Sequence, residues 1–325
     1  MKPTLSQHDL LNSISFCVIV PTYNNHKTLR KVLDSVLDFT SNVIIVNDGS
    51  TDDTVDIVNS FNDARIVLIS QQNAGVAAAL NTGLKHARAA YIARFDADDI
   101  CHPQRLEKQL DFLINNPEYI IVGSDADYIL ENGDFLFHFK CIAHTHQQII
   151  DKLYFYCPLV HPTVMYKKES ICNAGGYPAH AHNFEDYLLW TQIASSGKLF
   201  NIAEPLIKYR LNSSSVTIDE KWRGKRFREI KREAVKRGSI TAHEGEELLN
   251  IIKSQDVRRI KEGSYNALCG KKFLANNYQP NKARLHIKKA IGLYPFRLNN
   301  YLLYTVSYMP YKFILWLHKL NPNRL

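Results

Sequence analysis

Apolar residues open the chain as short unbroken runs separated by amphipathic stretches. Phe16–Val20 (FCVIV), Asn42–Asp48 (NVIIVND) and Ala64–Ser70 (ARIVLIS) are runs of strand length, and Tyr91–Arg94 (YIAR) is a fourth. Between them the spacing becomes helical: from about Lys27 to Phe39, then through Val55, Ile57 and Val58, with Thr51 and Asp52 as candidate caps. An Ala-rich helix follows from Asn73 to Ala90. Short buried strands alternating with helices predict βαβ units and a mainly parallel sheet. Ligands of such sheets bind beyond the carboxyl ends of the strands. Three of those ends carry polar sequence here: PTYNN, NDGSTDD and DADD.

The middle of the chain is less regular. Pro103–Asn116 reads as a helix with Pro at its start. YIIVGSDADYIL and DFLFHFK, joined by Glu131-Asn132-Gly133, read as a hairpin. Residues 145–156 read as helix, HPTVMYKK as a strand start, and NFEDYLLWTQIAS as a helix. KLFNIAE and LIKYRL read as strands. From Lys221 the pattern is helical and basic: KWRGKRFREIKREAVKR, then AHEGEELLNIIKSQDVRRIKEGSYNAL, then a last helix from about Asn281. The nearest thing to a boundary is NSSSVT, Asn212–Thr217, which predicts two regions, 1–215 and 216–325.

Charge sharpens that division. Residues 1–215 hold 17 Lys/Arg and 23 Asp/Glu, a balance of −6, whereas residues 216–325 hold 23 and 9, a balance of +14. Opposite character in the two regions points to a catalytic part and a part that meets an anionic surface. A chain of 325 residues with 45% apolar content has the material for a large core. The six cysteines include no CxxC pair, which argues against a zinc ribbon or a disulfide scaffold and predicts reduced thiols in a cytoplasmic protein. No signal peptide is expected from MKPTLSQHDLLNSIS. No nucleic-acid motif accompanies the basic residues.

Tyr91–Ile100 (YIARFDADDI) concentrates three carboxylates, Asp96, Asp98 and Asp99, at a strand end. Oxygen-rich clusters of this kind suit Mg²⁺ or Mn²⁺, held by one or two carboxylates together with substrate phosphates. An Asx-rich surface turn is the competing reading. Asp48, at the neighbouring strand end, can accept an N–H from a nucleobase. NAGVAAALNTG, Asn73–Gly83, keeps small side chains at a helix start, so a ligand can pass close over it.

PTYN, NDGSTDDT, NAGVAAALNTG, RFDADD and FEDYLLW, in this order and spacing, resemble the family 2 glycosyltransferases over roughly residues 14–215. The resemblance implies a GT-A fold, Rossmann-like α/β with a mixed, mainly parallel sheet flanked by helices, here followed by a helical C-terminal region. It implies a nucleotide site at Pro21, Thr22, Tyr23 and Asn24, with Asp48 on the base and Asn73 and Gly75 near the nucleotide. Asp96 and Asp98 match the DxD that holds the diphosphate through Mn²⁺ or Mg²⁺, Asp98 as the direct ligand. For Arg94 a diphosphate contact and a structural salt bridge both fit. Asp186 in FEDYLLW matches the family's catalytic base, with Glu185 beside it. His161 matches the acceptor side, or is a core or surface histidine. Relatives often carry a histidine shortly after the "YR" that is Tyr209-Arg210 here. This chain has Asn212 near that place, and Arg210 is a candidate to cover part of the role.

The implied reaction is inverting transfer from a nucleotide diphosphate sugar, a UDP-sugar, to a lipid-linked saccharide. The acceptor class is a polyprenyl-diphosphate-linked saccharide of O-antigen or capsule biosynthesis. A sugar-nucleotide-binding protein without turnover, a same-family transferase with a protein or polymer acceptor, and a basic membrane scaffold are the alternatives. Processive synthases usually carry a QxxRW-type motif and membrane spans, and neither is present in the sequence. The tail YPFRLNNYLLYTVSYMPYKFILWLHKLNPNRL mixes apolar, aromatic and basic residues, and Pro310 and Lys312 interrupt it. It reads either as an in-plane segment against anionic lipid or as an appendage packed on the catalytic region. The first reading predicts a cytoplasmic protein peripheral at the inner face of the cytoplasmic membrane.

Overall fold

The computed structural model of the chain describes residues 16–40, 42–215, 218, 223–255, 258–276 and 278–320. The N-terminal stretch read for a signal peptide, the end of NSSSVT and the last five residues lie outside them. The strands are β1 (Phe16–Thr22), β2 (Val43–Asn47), β3 (Ile66–Ser70), β4 (Tyr91–Arg94), β5 (Ile100–Cys101), β6 (Tyr119–Leu130), β7 (Phe135–Phe139), β8 (Met165–Lys167) and β9 (Lys198–Leu211). Up to residue 215 the described α-helices are α1 (Leu29–Leu37), α2 (Thr54–Ser60), α3 (Val76–His86), α4 (Arg105–Asn115), α5 (His146–Lys152), α6 (Lys168–Asn173) and α7 (Glu185–Ile193). Then come α8 (Lys225–Arg237), α9 (Ala242–Gln255), α10 (Arg258–Ala275), α11 (Pro280–Leu293), α12 (Leu298–Val306) and α13 (Tyr311–Leu320).

The described residues divide into two compact units. One comprises Met1–Ala126, Phe139–Tyr209 and Lys231–Gly245; the other comprises Asp127–His138, Arg210–Ile230 and Glu246–Leu325. The sheet runs β3-β2-β1-β4-β8-β6-β9-β5, with β7 paired to β6. β1 is parallel to β2 and β4, β2 is parallel to β3, and β8 runs antiparallel to both β4 and β6. This is the mixed, mostly parallel α/β sheet expected. β1 and β2 are almost wholly buried, as continuous apolar runs must be when helices cover both faces, while the edge strand β3 is only partly covered. α1 turns Leu29, Val32, Leu33, Val36 and Leu37 inward, the i, i+3, i+4 spacing of a helix on a sheet.

Several boundaries differ from the sequence reading, each for a local reason. α3 starts at Val76 because Gly75 takes φ +88°, and it stops at His86 because Ala87 is extended. Of the two candidate caps of α2, Asp52 supplies the side-chain oxygen although it stands one residue before the N-cap position. Asp53 holds that position, while the Asp52 carboxylate accepts the Thr54 N–H at 3.0 Å. His161–Thr163 form a 3-10 turn before β8, since Pro162 cannot donate to a ladder. Residues 145–156 yield only α5, started by a reciprocal capping box of Thr145 and Gln148. KLFNIAE and LIKYRL merge into the single strand β9. The expected last helix is three, interrupted near Pro295 and Pro310.

Behind the carboxyl end of β4 sits Arg105, fully buried at the start of α4. Its Nη2 donates to the Arg94 carbonyl at 2.7 Å and to the Val164 carbonyl at 3.3 Å. Its Nε donates to Gln109 Oε1 at 3.0 Å, and the guanidinium lies 5.0 Å from the Phe95 ring. Gln109 in turn donates to the Thr163 carbonyl at 2.7 Å. One helix thereby fixes both β4 and the His161–Thr163 turn.

In the second unit the β6–β7 hairpin turns at Gly133, with Leu130 N–H donating to the Asp134 carbonyl. Tyr128 stacks on Phe137, and His138 contacts Asp127 at 2.9 Å. α10 and α11 approach closely at Gly270, where a Cβ would stand 2.5 Å from Ile287. No helix among the described residues is long and apolar enough to cross a membrane. None of the six cysteines forms a disulfide.

Arg105→Met should cost about 3 kcal/mol, because it strands buried carbonyl oxygens that a charged donor now satisfies. Urea denaturation of the whole chain, followed by circular dichroism, measures this. A loss under about 0.5 kcal/mol, the range of an ordinary surface substitution, would contradict the bracing role.

Candidate active site

The carboxyl ends of β1, β2 and β4 meet loops that lock one another. Asn24 takes φ +54°, a left-handed conformation Asn tolerates. Its N–H donates to Ser50 Oγ at 3.0 Å, and its side-chain oxygen accepts from the Thr51 N–H at 2.8 Å. Asp48 N–H donates to the Thr22 carbonyl at 2.9 Å. Gly49 is required at its place: φ is +78°, and a Cβ would come within 2.9 Å of the Asn73 nitrogen. Pro21 and Thr22 are buried, whereas Tyr23, Asn24, Asn73 and Gly75 are exposed along this edge.

Asp48 is buried at 4% exposure and already engaged. Its Oδ1 accepts from Gln71 Nε2 at 2.7 Å and from Ala74 N–H at 2.9 Å, and its Oδ2 accepts from Gly75 N–H at 2.8 Å. Thr82 donates to Gln71 Oε1 at 2.6 Å, which sets the direction of the Gln71 amide. Gln71 had no place in the sequence reading. Its signal, a Gln at the end of a strand two residues before Asn73, is too common to single out.

At the end of β4, Asp96, Asp98 and Asp99 bring one carboxylate oxygen each within 4.8 Å of one another. Asp96 and Asp98 are partly open and Asp99 is buried. Thr28 donates to the Ala97 carbonyl at 2.8 Å and so ties this turn to the start of α1. Three carboxylates this close repel unless a cation shares the space, and all-oxygen donors suit a hard divalent ion. The residues therefore fit Mg²⁺ or Mn²⁺.

Arg94 is 4% exposed, and its Nη1 lies 2.7 Å from Asp96 Oδ2. Burial works most strongly against its charge, but Asp96, with smaller help from Tyr177 and Asp99, leaves its pKa raised. Its Nε has no hydrogen-bond partner in the structure. Of the two roles read from sequence, the salt bridge to Asp96 is present.

A second carboxylate group stands at the start of α7. Asn183 takes φ +69° and Phe184 holds the N-cap position, so the chain enters the helix with Glu185 and Asp186 in its first turn, where the helix dipole favours acids. Glu185 is buried and Asp186 partly open. Burial first, and then the charge of Asp186, push the Glu185 carboxyl up to about 7. Cys157 Sγ lies 3.8 Å from Asp186 Oδ2. His161, Glu185 and Asp186 bring one ligating atom each within 4.8 Å of one another. His161 Nε2 is 3.3 Å from the Tyr177 hydroxyl, which donates to Tyr166 at 3.5 Å. Burial, then the Arg94 charge, hold the His161 pKa well below the ordinary histidine value, so the ring is neutral. The charge of Arg94 acts on His161 and Glu185 as it does at Asp96, which disfavours a further cation beside this cluster, although a neutral imidazole is itself an ordinary metal ligand.

Tyr177 is a further residue the sequence reading missed. Its N–H donates to Asn81 Oδ1 at 2.8 Å, and Asn81 Nδ2 donates to its carbonyl at 2.9 Å. Gly176 permits that pairing, since φ is +83° and a Cβ would fall 2.5 Å from Asn81 Oδ1. Arg210, the candidate to cover part of the absent histidine's role, belongs to the second unit. There its Nη1 donates to the Leu130 and Glu131 carbonyls at 3.1 and 2.8 Å.

Residues 17–161 match the family model "Glycosyl transferase family 2". An uncharacterized glycosyltransferase of Haemophilus influenzae is 31% identical over 213 residues, 63% of this chain and 79% of that protein. The amylovoran biosynthesis glycosyltransferase AmsE of Erwinia amylovora is 30% identical over 64% of this chain and 80% of its own. For the O-antigen biosynthesis glycosyltransferase WbnJ of Escherichia coli the identity is 30%, over 63% and 82%. Among solved structures, S. aureus TarS 1-349 in complex with UDP-GlcNAc superposes with a TM-score of 0.54 at 17% identity, over 94% of this chain and 92% of that one. That likeness shows the fold, GT-A. With carboxylates in the family's order, and relatives matched over most of their length, the chain belongs to glycosyl transferase family 2 and is a glycosyltransferase.

Proposed function

We propose that the chain is an inverting, metal-dependent transferase that moves a sugar from a UDP-sugar to a lipid-linked saccharide. The acceptor class is a saccharide on polyprenyl diphosphate, built into a bacterial surface polysaccharide such as an O-antigen or capsule. In this reading residues 1–215 carry catalysis. Residues 216–325 are the basic region that holds the enzyme at the inner face of the cytoplasmic membrane. The observation that carries the reading is the pair of carboxylate groups, Asp96–Asp98–Asp99 and Glu185–Asp186, with the buried charge of Arg94 felt by both. Two relatives at 30% identity are named for polysaccharide biosynthesis, which supports the acceptor class.

Pro21, Thr22, Tyr23 and Asn24 line the nucleotide, with Asn73 and Gly75 opposite. A carboxylate has about four acceptor positions. Three of Asp48's are taken by Gln71, Ala74 and Gly75. The remaining one suits the single imino N–H of uracil better than the paired donors of guanine, and the TarS chain of the same fold is titled with UDP-GlcNAc. Asp98 and Asp96 would hold Mn²⁺ or Mg²⁺, which when bound neutralises charge growing on the diphosphate leaving group. Arg94 restrains Asp96 and keeps positive charge behind the diphosphate. Asp186 takes the proton from the acceptor hydroxyl as it attacks, on the face opposite the leaving group, which inverts the anomeric centre. His161 and Glu185 border that position; neutral His161 can accept or donate a hydrogen bond to the acceptor sugar.

Asp98→Asn should abolish divalent-ion-dependent turnover, read as nucleotide release with acceptor present. Asp186→Asn should lower transfer by roughly 10²–10⁴-fold while nucleotide binding, followed by thermal shift with a panel of nucleotide sugars, survives. Near-normal transfer by Asp186→Asn would remove it as the base.

Glu185 gives a pH signature. Its folded pKa of about 7 lies above the ordinary value of 4.5, so the folded chain binds the proton more tightly. Its contribution to stability is full at pH values below 4.5 and is lost as pH rises to 7. Melting temperatures of Glu185→Gln and wild type, compared from pH 5 to pH 8, should diverge in favour of the variant as pH increases. Parallel curves would mean that Glu185 ionises without penalty.

A further inference from the structure

We propose that the corner between α11 and α12, Tyr294–Leu298, together with the outer face of α12, is the segment that enters an anionic lipid bilayer. This rests on the membrane-surface reading above and names the part of the chain that would perform it.

The corner presents apolar side chains that a chain in water alone has no reason to display. Phe296 is 94% exposed and Leu298 82%, and on the same face of α12 Leu302 is 64% and Tyr301 43% exposed. Positions 298, 301, 302 and 305 are all exposed, whereas on the other side Asn300 is buried and Leu303 and Tyr304 are half-buried, so α12 has a packed side and an open one that closes only at its end, at buried Val306. Single exposed leucines are ordinary on a soluble surface; a contiguous cluster headed by an almost fully exposed Phe is a contact surface.

Cations flank the cluster. α11 exposes Lys282, Lys288 and Lys289. Arg284 lies 4.5 Å from the Tyr308 ring and Lys288 5.8 Å from the Tyr304 ring, which couples positive charge to aromatic rings beside the apolar face. Arg297 sits within the corner itself, 5.7 Å from the Tyr294 ring. After Glu262 the sequence contains no Asp or Glu through Leu325, while it contains ten Lys/Arg. A protein interface would normally mix both signs to select its partner. A field of one sign around exposed Phe, Leu and Tyr fits an anionic surface with an apolar interior, where basic residues stay at the headgroups and aromatic rings at the boundary. Pro295 contributes by stopping α11, so that Phe296 and Arg297 project as a turn before α12 begins.

The test uses the full chain with sedimenting vesicles of phosphatidylcholine alone or mixed in equal parts with phosphatidylglycerol. Wild type should bind the mixed vesicles, should not bind the neutral ones, and should be released by salt. The double variant F296S/L298S should lose binding to mixed vesicles by about tenfold, and K288E/K289E similarly. Both should retain wild-type melting temperature and UDP binding, since all four side chains are exposed. In F296W, fluorescence should shift to the blue and be quenched by brominated lipid. If wild type binds mixed vesicles and F296S/L298S binds them equally well, the corner is not the inserting segment although the membrane reading stands. If wild type binds neither vesicle, the membrane reading itself fails. If light scattering finds a wild-type dimer that F296S/L298S converts to monomer, the face joins two copies of this chain, and the proposal is overturned.

Discussion

The catalytic arrangement depends on two buried guanidinium groups at the end of one short strand. Arg94 leaves β4 with its charge almost sealed from water, and Arg105 stands behind it, fully buried, holding the Arg94 carbonyl. Burying a cation costs several kcal/mol unless nearby acceptors and anions offset it. Here the offset for Arg94 comes from Asp96, and the acceptors for Arg105 are Gln109 and the carbonyls of Arg94 and Val164. The acids following β4 are therefore part of what lets this strand end in a buried charge.

That single charge reaches both carboxylate groups. It pairs with Asp96 and helps keep His161 neutral. It also partly offsets the burial and the Asp186 repulsion that raise Glu185. Two neighbouring acids in one helical turn thus have unequal surroundings, Glu185 covered and Asp186 partly open. Under the proposed function such inequality separates a group that keeps its proton from one that takes a proton from the substrate. The Asn81–Tyr177 pairing and the close approach at Gly176 tie α3 to the segment that leads into α7.

The second unit follows different rules. Its helices are joined by close contact, as at Gly270, and its hairpin is held by Arg210 through backbone carbonyls. Its electrostatics come from accumulated Lys and Arg with few acids, which acts over distance and selects a class of surface more than a particular ligand.

By itself the sequence determined the alternation of buried strands and helices, the parallel order at the start of the sheet, and the carboxylates at two strand ends and one helix start. These follow from local periodicity and from residue types that have few other uses in such places. The DxD turn and the FED helix were legible because both lie within a few residues of an element boundary. Tertiary structure alone decided which side chains surround them. Arg105, Gln71 and Tyr177 act across 11, 23 and 96 positions of sequence on Arg94, Asp48 and Asn81, and no local pattern records such partners. The same holds for Arg210, whose guanidinium is committed to carbonyls 79 and 80 positions away. Burial is a property of the packed chain, and it separates Glu185 from Asp186, two acids that the sequence leaves nearly equivalent.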